Sequence, residues 1–245
     1  MRRFVQALAA DSLDPVVPEG VRAALLTLPE RYNIAIRGFA GVLFIQDGRW
    51  KLAEMSWGLV PSWEKQPSTR YSTQAARLER AQKSRLYRSA WATRRCLLPL
   101  NGYYKWDREV KPPQPYFIQA ANGRVLFAAA LWSLWGGEED GLLSFSVLTH
   151  ENPAIPPPLV PDGPRFVPPA RLAEWVQADP ARAKRWLLAQ PQPELEAYAV
   201  SRRVANRKLD EYSLLEPLAA TEAFDAAFDF GGADDDLDED GDADE

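Results

Sequence analysis

The chain is nearly devoid of sulfur and imidazole. One cysteine (Cys96), one histidine (His150) and two methionines occur among 245 residues. A single cysteine cannot form an intramolecular disulfide, and a Cys-rich metal site is excluded. No metal and no cofactor are expected, and a reducing, cytoplasmic setting fits. Long hydrophobic runs are absent as well. Met1-Arg2-Arg3-Phe4 lacks the apolar stretch of a signal peptide, and nothing later is long enough to span a membrane. No internal repeat is visible.

What the chain has instead is tryptophan, proline and an uneven distribution of charge. Nine tryptophans and 21 prolines point to strands, turns and aromatic platforms rather than a helix bundle. At 46% hydrophobic there is material for a sizeable core. The formal net charge is −5, but residues 222–245 carry 12 acidic side chains and no Lys or Arg. That leaves 22 acidic against 29 basic residues in the rest, a balance of +7. Such a body attracts a polyanion such as nucleic acid, and the acidic segment competes for the same surface. Residues 1–221 are therefore read as one domain and 222–245 as a disordered acidic tail. Phe224, Phe228 and Phe230 lie among the tail's aspartates. They suit it either to a protein partner or to occupying a basic groove, and the plainer reading is a solubilising segment.

Periodicity predicts a short strand within residues 1–10, a helix from Pro18 to Leu28 and a strand at 31–35. A β-hairpin joins 41–45 to 50–55 through Asp47-Gly48, and a second is expected around Asn122-Gly123. Helices are expected at 82–92, 169–176 and 180–189, and strands at 142–149 and 198–200. Eight prolines in 152–169 predict an extended loop without regular structure. The class is α+β with a mainly antiparallel sheet.

The chain is organised around residues 94–106, Arg94-Arg95-Cys96-Leu97-Leu98-Pro99-Leu100-Asn101-Gly102-Tyr103-Tyr104-Lys105-Trp106. Asn101-Gly102 predicts a turn with positive φ. On the strand that follows, Tyr104 and Trp106 share one face while Tyr103 and Lys105 share the other. A lysine among aromatics is either solvated at an edge or placed in a pocket.

Together with Trp57-Gly58-Leu59-Val60-Pro61-Ser62-Trp63, this stretch resembles the SRAP family, the SOS-response-associated, abasic-site processing proteins. The likeness runs from residue 1 to about 217. The family's W-G-L-x-P-x-W is intact at 57–63. Its N-A-R-x-E-T motif reads Ala75-Ala76-Arg77-Leu78-Glu79-Arg80, and its R-R-C-L-x-P-x-x-G-x-Y-E-W motif reads 94–106 with Lys105 for the glutamate. The I-H-D-R segment corresponds to Leu159-Val160-Pro161-Asp162, and the family's opening Met-Cys-Gly-Arg-Phe to Met1-Arg2-Arg3-Phe4. The resemblance implies a barrel-like fold with flanking helices. It also implies a DNA-damage function in which an N-terminal cysteine joins its amine and thiol to an abasic-site aldehyde in single-stranded DNA. The product is a thiazolidine, formed with help from an asparagine, a glutamate and a histidine.

Those four positions are occupied here by Arg2, Ala75, Lys105 and Val160. Arg2 has no thiol, and Ala75 and Val160 can neither hydrogen-bond nor move a proton. The expectation is a pseudoenzyme that binds single-stranded or gapped DNA non-covalently. The alternatives are an enzyme using Lys105 as a Schiff-base lyase residue and an interaction module with no DNA role. For DNA contact the candidates are Arg77, as a phosphate fork or a salt bridge to Glu79, and Trp63 and Tyr71 as stacking platforms. Arg2, Arg3, Arg85 and Arg165 extend a basic groove or are solvated singly. Cys96 reads as a buried structural thiol rather than a nucleophile, and His150 as a boundary histidine rather than a catalytic one.

Overall fold

The computed structural model describes residues 1–137 and 141–218. The domain boundary at 221 and the acidic tail lie outside the described residues. In chain order the elements are β1 (Arg3–Gln6), α1 (Glu19–Leu25), β2 (Arg31–Ala35), β3 (Phe39–Gln46), β4 (Arg49–Trp57), β5 (Ala75–Arg77), α2 (Leu78–Ala81) and α3 (Arg88–Thr93). There follow β6 (Arg95–Leu100), β7 (Gly102–Asp107), β8 (Gln114–Ala120), β9 (Leu126–Trp135), β10 (Leu142–Glu151), β11 (Asp162–Pro164), α4 (Leu172–Gln177), α5 (Pro180–Leu188) and β12 (Leu195–Ala199). No helix among the described residues is long and apolar enough to cross a membrane.

Two sheets face each other. One runs β12-β8-β7-β1-β2 and is antiparallel throughout. In the other, β10-β4-β3-β6-β9 closes into a ring because β9 also pairs with β10. The barrel-like, mainly antiparallel α+β expectation therefore holds. Ring and sheet share a core of alternate residues: Val42 and Phe44 of β3, Leu98 of β6, Ala128 and Ala130 of β9, Phe145 and Val147 of β10, with Phe4, Tyr103 and Ile118 from across. The intervening residues Leu43, Leu97, Ala129 and Leu148 face the helices, packing with Leu25, Trp91, Trp175 and Leu187. Ala128-Ala129-Ala130 are all fully buried, so small side chains let both layers close on β9. The outer face of the five-stranded sheet is sealed by Val200, Val204 and Leu214.

The first hairpin forms with the expected turn, Asp47 at φ 51° and Gly48 at φ 71°. The second does not. The chain turns at Gly123 (φ 68°), but β8 pairs with β7 and β12 while β9 pairs with β6 and β10. The turn passes the chain between sheets instead of joining neighbours. The Asn101-Gly102 expectation also needs correction. Gly102 has no positive φ among the described glycines and opens β7; a Cβ there would lie 2.3 Å from the Ile118 carbonyl oxygen. The glycine is needed for close approach, and Asn101 instead ties the crossover to Ala7 through hydrogen bonds of 2.7 and 3.0 Å.

The helix expected over 82–92 is shorter, with α3 beginning at Arg88 after turns at 83–87. The proline-dense loop is not wholly irregular either. Three of its residues form β11 on the edge of β10, where proline is tolerated because one side of the strand needs no partner.

Candidate functional site

β7 positions the central lysine. Tyr103 is sealed in the core between the sheets, and Lys105, two residues on and on the same side, reaches the rim. There its ammonium donates to the main-chain oxygen of Asp162. The antiparallel pairing of Glu151 with Asp162 and of His150 with Gly163 fixes that oxygen in place. Gly163 is pressed against Tyr103, since a Cβ there would lie 3.1 Å from the phenol oxygen.

Around this contact is a cleft of about 410 Å³, lined among others by Met1, Arg2, Lys105, Arg108, Val160 and Asp162. Burial lowers the Lys105 pKa, against the opposing pull of the Asp162 charge. The Met1 amine is brought down to about 5, first by burial and then by the Lys105 charge, with Asp162 acting the other way. The site is thus a hollow with two amines and two guanidinium groups, in which Asp107, Glu109 and Asp162 supply the carboxylates, and it is partly shielded from water. Its groups can hold an anion at the rim and present an uncharged amine to an electrophile.

Three of the four family positions, Arg2, Lys105 and Val160, meet at this cleft; Val160 is 67% exposed there. Ala75 does not line it and pairs with Val147 in β5. Met1, as well as Arg2, lies in the cleft. In the sequence Asp162 stands out only as the end of the segment matched to I-H-D-R. Its importance comes from β11, which the prolines hid.

The candidate DNA contacts separate into exposed and buried groups. Trp63 and Tyr71 are each 42% exposed. The Arg85 guanidinium sits 4.7 Å from the Trp63 ring centroid and Arg70 lies 5.2 Å from that of Tyr71. Trp63 and Arg85 line a second cleft of about 290 Å³ with Arg88 and Arg94. Arg77 is exposed at the end of β5, and Glu79 engages the His150 ring rather than Arg77.

Arg3 and Arg165 are not groove residues. Each is 8% exposed. Arg3 donates to Asn33 Oδ1 at 3.1 Å and to the Ala205 oxygen, and burial lowers its pKa to about 10. Arg165 donates to the carbonyls of Leu188 and Gln190 at the end of α5, both at 2.8 Å. Arg95, from the same motif as Lys105, likewise serves carbonyls of Trp91 and Trp175 at helix ends.

His150 lies two residues after the helix-facing Leu148 on β10, and its ring pairs with Glu79. Cys96 is fully buried between the sheets and its thiol pKa is raised by burial, which keeps it protonated and inert.

Comparison with known proteins agrees with this architecture. The abasic site processing protein YedK of Escherichia coli is 25% identical over 226 residues, covering 88% of this chain and 99% of that protein. YMR114C of Saccharomyces cerevisiae, also named an abasic site processing protein, is 37% identical over 124 residues, half of this chain and a third of its own length. A crystal structure of a protein from Bacteroides thetaiotaomicron shares the fold, with a TM-score of 0.69 at 16% identity over 88% of this chain and 100% of that one. A phage-related protein from Bordetella bronchiseptica gives 0.64 at 26% identity, covering 82% and 95%. The family model for SOS response associated peptidase matches residues 2–207. By that match and by the ring-and-sheet architecture, the chain belongs to the SRAP family.

Proposed function

We propose that this chain holds abasic sites in single-stranded or gapped DNA, as part of a DNA-damage response, and that it forms no thiazolidine. Relatives named as abasic site processing proteins support the substrate class. The cleft at Lys105 carries the reading. It gathers three of the four family positions around an amine-rich hollow. A thiazolidine needs an amine and a thiol on one residue, and the chain's only thiol, Cys96, is buried in the core. The protein is a pseudoenzyme with respect to that reaction.

Strand contacts come from the exposed Trp63, Tyr71, Arg77 and Arg85. Aromatic faces accept any base, and guanidinium groups fork onto phosphates. The acidic segment 222–245 competes for the same basic surface and is the part of the chain suited to a protein partner.

Fluorescence anisotropy with labelled oligonucleotides tests this. Abasic single-stranded DNA is expected to bind at low salt, more tightly than intact duplex, with affinity falling as salt rises. No binding to any single-stranded or gapped oligonucleotide at low salt overturns it.

A further inference from the structure

Two facing groups in the cleft have no part in a thiazolidine reaction. Lys105 stands where the resemblance places a carboxylate, and β11 delivers Asp162 beside it, with the Lys105 ammonium on the Asp162 main-chain oxygen. We infer that Lys105 is a nucleophile that captures the ring-opened aldehyde of an abasic sugar as an imine, with Asp162 as the base for the β-elimination that follows. This rests on the reading that abasic DNA is the ligand.

The geometry favours Lys105 over a surface lysine. Lys105 lies two residues after the fully buried Tyr103 on β7, so it leaves the strand on the same side, and it is itself half-buried. Its head is held at one point on a main-chain oxygen. An amine tethered in this way keeps its orientation when it loses its proton, because the neutral amine still donates to that oxygen, and Lys105 lines the cleft. Partial burial, which disfavours the charged form, acts in the same direction. The Asp162 carboxylate is near enough to act electrostatically on both Lys105 and the Met1 amine. Arg2 and Arg108 line the same hollow and suit the phosphates on either side of the sugar.

The steps balance with water as the only co-reactant. The Lys105 lone pair adds to C1′ of the open sugar and the carbonyl oxygen takes a proton, giving a carbinolamine. Loss of water leaves an iminium, which makes the C2′ hydrogens acidic. Asp162 removes one of them. That electron pair forms the C2′–C3′ double bond as the C3′–O bond breaks, releasing the downstream fragment with a 5′-phosphate. Water then hydrolyses the unsaturated imine and returns the Lys105 amine.

Borohydride reduces such an imine to a stable secondary amine, so the test uses the full chain, end-labelled abasic single-stranded DNA and borohydride. A trapped band is expected on a denaturing gel, and peptide mass mapping is expected to place the reduced sugar on Lys105. Lys105→Arg, which keeps the charge but cannot condense, should lose the band, with its melting temperature reporting that it folds. Asp162→Asn should retain the trapped band but slow strand cleavage by about 100-fold or more.

An adduct on Met1 or another lysine overturns the inference. So does the absence of any adduct when a native gel shows the complex, and that outcome leaves the binding reading standing. Neither complex nor adduct overturns both. Cleavage unchanged in Asp162→Asn removes Asp162 from the role of base.

Discussion

Lys105 is held by the main-chain oxygen of Asp162, while the Asp162 carboxylate acts on it only through its charge. The two effects are separable. Asp162→Asn leaves the main-chain acceptor in place and removes the negative charge that raises the lysine's pKa. Imine formation requires the neutral amine, so borohydride trapping should rise with pH through a midpoint below that of an ordinary lysine. In Asp162→Asn that midpoint should move lower still. A midpoint at the ordinary lysine value, or one that moves up in the variant, contradicts the electrostatics of the cleft.

Arg3 should behave as a structural residue. Its guanidinium links Asn33 to the Ala205 carbonyl across the five-stranded sheet and the C-terminal segment. Hydrogen bonds to a charged group contribute about 1.5–3 kcal/mol. Arg3→Met should therefore lower the melting temperature by several degrees, at about 2–4 °C per kcal/mol for a protein of this size. The salt dependence of DNA binding should not change. A variant with unaltered melting and a shallower salt slope would return Arg3 to the DNA surface.

Much of this arrangement was legible in the residues. The alternation of Tyr103, Tyr104, Lys105 and Trp106 placed Lys105 on the correct side of β7, and Asp47-Gly48 marked a true hairpin. Motif order brought Lys105 and Val160 to one cleft although 55 positions separate them in the numbering. What failed were long-range pairings. Asn122-Gly123 has the chemistry of a hairpin turn, but turn chemistry does not say whether the flanking strands stay in one sheet. β11 was hidden because prolines argue against a strand unless it lies on an edge. Arg3 and Arg165 looked like surface charges because nothing local shows that carbonyls 202 and 23 positions away will face them.

Gly102 is a steric requirement of the crossover from the ring to the five-stranded sheet. A methyl group would meet the Ile118 carbonyl oxygen at 2.3 Å and the Phe117 ring at 2.5 Å. Gly102→Ala should destabilise the fold by at least the 1–3 kcal/mol typical of overpacking, about that order, seen as a lower denaturation midpoint. An unchanged midpoint would mean that β7 and β8 separate easily there.

Trp63 and Arg85 should act as a unit. The Trp63 ring and the Arg85 guanidinium stack at 4.7 Å on an exposed cleft with no acidic lining side chain among the described residues. Trp63→Ala should weaken single-stranded DNA binding by about 1–3 kcal/mol, the worth of one stacked base. Arg85→Ala should reduce the salt slope by about 0.7. Because each supports the other, the double variant should lose less than the sum. Strict additivity would show that the stack is unimportant for binding.

The most direct measurement incubates the full chain with single-stranded DNA carrying one abasic site and no reductant, then runs matched native and denaturing gels. The account predicts a complex on the native gel and no heat-stable adduct on the denaturing one, because no thiol is available to close a thiazolidine. A heat-stable adduct without borohydride, or no complex on the native gel, would contradict it.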